Sequence, residues 1–147
     1  MTPKLPVSVL VVIHTRDLQV LLLERVRRAG YWQSVTGSLD RLDELPEEAA
    51  AREVLEETGI KAASGTLSRW NVAYTFEIYL HWRHRFAPGV THNTEHVFGL
   101  ELPARQPVRL APDEHLAYEW LPWREAAEKC FSWSNRDAIR MLGENAP

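Results

Sequence analysis

Residues 37–60 read GSLDRLDELPEEAAAREVLEETGI, an acidic loop that opens into a run of good helix formers and stops at Gly59. Pro46 suits the first helical turn, where its missing N–H costs nothing, and Glu47 and Glu48 stand where the positive end of the helix dipole favours carboxylates. Ala49 through Glu57 continue the helix, and Gly59 fits the left-handed residue just past its end. Glu53, Glu56 and Glu57 are spaced i, i+3 and i+4, which at about 100° per residue gathers them into an arc of roughly 100°. Ala50, Ala51, Val54 and Leu55 fill the adjoining arc, so the helix is expected to pack on a sheet with its carboxylates at the border of the packed face. Like charges at these spacings repel one another, and a divalent cation removes the repulsion. Hard oxygen ligands of this kind suit Mg²⁺, with Mn²⁺ as a substitute. Taken alone, an exposed acidic face with Arg52 paired to Glu56 accounts for the same pattern more simply.

Working outward, Val7 to Ile13 is β-branched or apolar almost throughout and reads as a strand buried on both faces. Val20 to Leu23 repeats the signal, and Asp17 with its polar neighbours makes the turn of a hairpin. Tyr31 to Val35 is short and aromatic before Thr36, Gly37 and Ser38 break the pattern. Beyond the helix, Val72 to Trp82, Glu95 to Leu102, Val108 to Leu110 and Leu116 to Leu121 read as strands, with Pro88 and Gly89 in the loop between the first two. Trp123 to Cys130 looks helical, and Asn135 to Leu142 carries Ala138, Ile139 and Leu142 at the spacing of a helix packed on one side. This order predicts an α/β fold, an α/β/α sandwich around a central mixed β-sheet, formed by one domain over residues 5–143.

Composition narrows the function classes. At 147 residues, 45% hydrophobic and 25% charged, the chain matches an ordinary globular domain able to bury a core without disulfides or structural zinc. The single cysteine, Cys130, cannot form an internal disulfide, and no Cys/His cluster has zinc-ligand spacing, which fits a reducing, cytoplasmic location. The longest apolar run, Val7 to Ile13, is far short of the roughly 20 residues that span a bilayer, and the N-terminus lacks the order of segments of a signal peptide, so no membrane association is expected. A net charge of −3 supplies no positive field for a nucleic-acid polymer. Polyphosphate binding must then be local, and two basic clusters, Arg25 with Arg27 and Arg28, and Arg83 with His84 and Arg85, offer it; solvated surface is the plain alternative for each.

The wider pattern weighs against the plain reading of the acidic helix. Gly37, Glu44, Arg52-Glu53-Val54, Glu56-Glu57 and Gly59-Ile60 together resemble the Nudix box, a glycine, five residues, a glutamate, seven residues, Arg-Glu-aliphatic, one residue, Glu-Glu, one residue and Gly-aliphatic. Here six residues, Ser38 to Asp43, separate Gly37 from Glu44, and the extra one lies in a loop, where insertions are tolerated best. The resemblance implies a Nudix fold and a Mg²⁺-dependent hydrolase of phosphoanhydrides. It implies Glu53, Glu56 and Glu57 as metal ligands, the Gly37 carbonyl as a further ligand, Arg52 as the residue that orients a glutamate, and Glu44 as the residue that fixes the loop or helps hold an outer metal.

Segments outside the box, Tyr31 to Gly37, His84 to Thr91, Asn93 to Glu95, Glu114 to Tyr118 and Trp133 to Arg136, are similar to the bacterial dihydroneopterin triphosphate pyrophosphatases, also described as dATP pyrophosphohydrolases. That similarity implies release of pyrophosphate from a small-molecule pterin triphosphate in folate biosynthesis. Two alternatives stand beside it: a hydrolase of dATP or modified deoxynucleoside triphosphates, and a catalytically silent nucleotide-binding module, against which the intact glutamate set argues. The similarity also makes Glu114 the leading general base or additional ligand, whereas composition alone makes it a turn residue. Arg25 is a candidate phosphate contact, with an ion pair to Glu24 as the alternative, and Trp32 is a candidate stacking platform, with a core position as the alternative. Arg85 and Asn93 flank the Pro88-Gly89 loop and are candidates to line the pocket. His115 is read as holding a strand end by a backbone hydrogen bond. Oligomeric state is not legible.

Overall fold

The computed structural model describes residues 2–145. Its first strand, β1 (Val7–Thr15), is buried from Ser8 onward, as a continuous β-branched run requires when both faces are covered. The chain turns at Leu18, whose φ is 63° and whose N–H donates to the Thr15 carbonyl at 3.0 Å, and returns antiparallel as β2 (Gln19–Arg25). Two short strands follow, β3 (Trp32–Gln33) and β4 (Val35–Ser38), and then helix α1 (Pro46–Thr58). The second half supplies β5 (Thr66–Glu77), β6 (His92–Leu102), β7 (His115–Pro122) and two helices, α2 (Trp123–Lys129) and α3 (Trp133–Glu144).

The seven strands form one mixed sheet in the order β3-β2-β1-β6-β5, with β4 beside the first half of β1 and β7 beside β2. β1 and β6 run parallel, Val7 facing Thr94 through Thr15 facing Leu102. Period-two alternation divides β1 between two cores. Val9, Val11 and Ile13 pack with Phe98 and Leu100 under Ala49, Ala50 and Val54 of α1. Leu10 and Val12 pack with Val97 under Ala126, Ala127, Ala138 and Ile139 of α2 and α3. Helices on both faces of a mixed sheet make the α/β/α sandwich that the order of elements predicts.

Four expectations need correction. The strand expected to run to Trp82 ends at Glu77, and Leu80–Arg85 forms a 3₁₀ turn in which Trp82 sits beside basic side chains. That strand also starts earlier, at Thr66, with a register shift between Arg69 and Ala73 and Asn71 at φ 58°. Val108 to Leu110 is not a strand: the Arg109 N–H donates to the Thr58 carbonyl at 2.8 Å, so the segment ties off the end of α1 instead of extending the sheet. Leu55 is about half exposed, because the packed stripe of α1 is narrower than expected and runs through Ala49, Ala50, Val54 and Thr58. No helix among the described residues is long and apolar enough to cross a membrane.

Phe98 is the largest fully buried side chain and fills the space between β6 and α1. Phe98→Ala is expected to lower stability by about 3–5 kcal/mol in urea denaturation, the cost of a large cavity that a rigid sheet cannot close. A loss under about 1 kcal/mol would mean that this core repacks freely.

Candidate functional site

The N-terminal end of α1 is fixed from both sides. The Leu45 N–H donates to Glu48 Oε1 at 3.1 Å, and Pro46 takes the first helical position. At the other end Gly59 adopts φ 74°, its N–H bonded to the Leu55 carbonyl at 2.9 Å, and the Thr58 hydroxyl donates to the Val54 carbonyl at 2.6 Å. A helix held this way presents Glu53 and Glu57, which are only about 40° apart around the axis, toward β4. Gly37 on β4 faces them from the same side of the sheet as Val35, and a Cβ at Gly37 would overlap the Glu53 carboxyl. The glycine is therefore a steric requirement of the glutamate's position.

Arg52 organises the rim. Its Nε donates to Glu44 Oε2 at 2.9 Å and its Nη2 to Glu44 Oε1 at 3.1 Å, a two-pronged pair that holds the end of the acidic loop against the helix. The same guanidinium donates to Glu53 Oε1 at 2.7 Å and to the Ser38 carbonyl at 3.1 Å, and lies 3.2 Å from Asp40. Glu44, buried, also accepts the Asp40 N–H at 2.7 Å, and its hydrogen bond from Arg52 holds its pKa below the usual carboxylate range despite the burial. The extra loop residue between Gly37 and Glu44 is thus absorbed before Glu44, whose contact with Arg52 is intact.

Glu57 is the least comfortable group in the molecule. It is 1% exposed, and no donor reaches either carboxylate oxygen; the neighbouring Glu53 carboxyl can pair with it only if one of the two holds a proton. Burial, then the neighbouring Glu53, then Glu114, push its pKa well above the ordinary value, and burial raises that of Glu53 as well. Pairing of β2 with β7 sets Arg25 opposite His115, and Glu114 follows on the adjoining loop, its carbonyl accepting the Val26 N–H at 2.9 Å. Ligand atoms of Glu57, Glu114 and His115 fall within 4.8 Å of one another. His115 does not hold a strand end through its ring: Nδ1 has no partner, and Nε2 lies 3.7 Å from Glu57 Oε1. Burial and Arg25 push its pKa down to about 4, so the imidazole is neutral at physiological pH and leaves the Glu57 charge uncompensated.

These observations fit a divalent cation. The donors are mainly hard carboxylate oxygens, and two buried oxygens without partners are a cost that a cation beside Glu57 and Glu114 removes. Glu56 lies at the solvent edge of the same strip of α1, its carboxylate about half exposed and 3.4 Å from the Arg52 guanidinium that also holds Glu53, and its charge acts on both Glu53 and Glu57.

Basic side chains close the other side of the cleft. Arg25, half-buried, stacks its guanidinium 4.9 Å from the Trp82 ring, where Arg28 and Arg85 also approach at 5.8 and 5.9 Å. Lys4 is tied to this group through its N–H to the Arg85 carbonyl at 2.8 Å, and stands in the fields of Arg85, Arg25, Glu53 and Glu114. Arg28, Tyr31, Tyr79, His81, Trp82 and Phe131 line a small pocket of about 210 Å³ beside it. Arg28 belongs to the basic cluster that the sequence offers, whereas Lys4 and Trp82 escape sequence reasoning: Lys4 lies in a short unpatterned N-terminal segment, and Trp82 reads there as part of a strand.

Two expected residues lie on the sheet face away from the carboxylates. Trp32 belongs to the core under α2 and α3, 9% exposed, with the Lys129 ammonium 4.2 Å from its ring, so stacking on a ligand is not available to it in this arrangement. Asn93 sits on the sheet face opposite α1, 6% exposed, its Nδ2 donating to Ser8 Oγ at 2.8 Å. It does not join the carboxylates.

The chain is 47% identical over 146 residues to the dihydroneopterin triphosphate diphosphatase of Escherichia coli, covering 97% of this chain and 95% of that protein. It is 40% identical over 136 residues to the protein of the same name from Haemophilus influenzae, covering 90% and 84%. The solved structure of the E. coli dihydroneopterin triphosphate pyrophosphohydrolase superposes with a TM-score of 0.90 at 46% identity, over 99% of this chain and all of that one. The NUDIX domain model matches residues 4–142, and the chain belongs to the NUDIX domain family.

Proposed function

We propose that the protein hydrolyses dihydroneopterin triphosphate to dihydroneopterin monophosphate and pyrophosphate, in the cytoplasm, with Mg²⁺ as its cofactor and Mn²⁺ as a substitute. The observation that carries the reading is Glu57: a buried carboxyl with both oxygens free of partners, beside Glu53 and Glu114 and faced by a cluster of cations. That is the arrangement that a polyanion and its metal need, and the chain is an enzyme of the pyrophosphohydrolase type by its relatives.

Glu53, Glu56 and Glu57 would hold the metal together with the Gly37 carbonyl, and Arg52, itself fixed by Glu44, keeps the Glu53 carboxylate turned inward. When bound, the cation neutralises phosphate oxygens and lowers the pKa of water. Lys4, Arg25 and Arg85 bind the triphosphate and offset its charge. Glu114 stands exposed next to buried Glu57 and accepts a proton from the attacking water; the water oxygen joins phosphorus, and the bridging P–O bond breaks. Water thereby divides one phosphoanhydride between two products, and no covalent intermediate is needed. Neutral His115 packs against Glu57 without competing with the metal for its charge.

The substrate panel tests the reading directly. Specificity constants in Mg²⁺ are expected to favour dihydroneopterin triphosphate over dATP by at least about tenfold; equal or better turnover of dATP would replace the pterin with a deoxynucleoside triphosphate. Glu57→Gln, which keeps the shape and removes the charge, is expected to lower kcat by at least about a hundredfold with a native circular dichroism spectrum. Glu114→Ala is expected to lower kcat more than it raises KM, and unchanged turnover would remove Glu114 from the chemistry.

A further inference from the structure

On the sheet face opposite α1, a group of buried polar side chains takes no part in the chemistry described above. Glu95 on β6 is 5% exposed, and its Oε1 has no partner. Asn93, two residues earlier on the same face, leaves its Oδ1 without a partner, and so does the Ser34 hydroxyl. These atoms gather at the start of α3. The Ser134 hydroxyl bonds to the Glu95 carboxylate, and Asn135 Oδ1 accepts the Ser34 N–H at 2.8 Å. Cross-strand pairing sets Tyr74 directly opposite Glu95, and the Tyr74 ring meets the Trp133 ring edge-on at 5.2 Å, with Trp133 44% exposed. Three unsatisfied acceptors beneath an aromatic roof are not a feature that folding alone favours, since each costs stability unless something donates to it.

The cluster lies near the start of β1, the end of the strand that Lys4 precedes. Ser8, which accepts from Asn93, is paired with Glu95 across β1 and β6 and stands four residues from Lys4, about 13 Å along an extended chain. A substrate with its phosphates at Lys4 and the α1 carboxylates would reach Glu95 by carrying its carbon tail past the entry of β1 to the other face of the sheet.

We infer that Glu95 reads the substrate's heterocycle, its carboxylate accepting hydrogen bonds from a ring N–H and an adjacent exocyclic amino group, the 2-amino-4-oxo edge that a pterin shares with guanine. This rests on the pterin reading and deepens it. A carboxylate accepts through both oxygens, so it matches two adjacent donors and mismatches adenine, whose corresponding edge offers one donor and one acceptor. Asn93 and Ser34 are placed to meet the remaining polar atoms of such a ring, and Tyr74 and Trp133 supply aromatic surface against it. Burial pushes the Glu95 pKa up to about 7 against the opposing Ser134 hydrogen bond, in keeping with a group whose charge awaits donors.

Glu95→Gln separates a reader from a structural carboxyl. An amide presents one acceptor and one donor, so kcat/KM for dihydroneopterin triphosphate and for dGTP is expected to fall at least about a hundredfold, mostly through KM, while dATP changes less than about threefold or improves. A parallel fall for all three substrates would overturn the inference, as would no change in their ratios. The dGTP-to-dATP ratio reads the edge even if the wild-type protein prefers nucleotides, so failure of the pterin reading is visible separately in the wild-type panel. Should Glu95→Gln fail to fold, inhibition of the wild-type protein decides: neopterin monophosphate is expected to inhibit at least tenfold better than its analogue with 2-oxo in place of 2-amino, and equal inhibition overturns the assignment.

Discussion

Two glutamate carboxyls one helical turn apart, one of them pressed against a glycine on the neighbouring strand, are the constraint on which the rest of the site depends. Buried Glu57 and half-buried Glu53 share one side of α1, and burial disfavours charge on both. A fold can keep such a pair only if the helix is anchored elsewhere. Ala49, Ala50 and Val54 provide that anchor on the sheet, while Arg52 and Glu44 brace the loop that leads into the helix. Function thus occupies a strip of α1 that packing would otherwise fill with aliphatic side chains, and the unpartnered oxygens of Glu57 are the local cost of that use.

The sheet serves both ends of a substrate. β1 is the shared support: its entry lies beside Lys4 and the basic group around Trp82, its odd-numbered positions Val9, Val11 and Ile13 carry α1, and its even-numbered face carries Ser8 toward Asn93 and Glu95. Because alternate residues point to opposite faces, one strand can position phosphate chemistry on one side and ring recognition on the other. The division of labour also explains why two buried carboxyls, Glu57 and Glu95, coexist in a small protein: they face different layers.

Much of this was legible in the residues. The β-branched run at Val7 to Ile13, Pro46 at a helix start, Gly59 at its end and the i, i+4 spacing of Glu53 and Glu57 each have one physical reading, and the elements they announce are present. The glutamates could not be ranked by spacing alone, since Glu56 belongs to the same arc yet faces solvent beside Arg52. Trp32 and Trp82 exchange their expected roles, because an aromatic residue in a short apolar run looks the same whether it ends in a core or against arginines. Lys4 and His115 gain meaning only from neighbours distant in sequence, brought together by β7 pairing with β2 and by the return of the 3₁₀ turn to the N-terminal segment. Asn93 and Glu95 carry a polar pattern inside a strand, and only the position of α3 above them shows which face is closed.

The most direct test of the central claim is calorimetric titration of Mg²⁺ into the full chain with a non-cleavable triphosphate present. Saturable uptake is expected, weakened at least tenfold by Gly37→Ala, which drives the Glu53 carboxyl out of its position without touching a charge. Absence of divalent-ion uptake, or uptake indifferent to Gly37→Ala, would contradict the account.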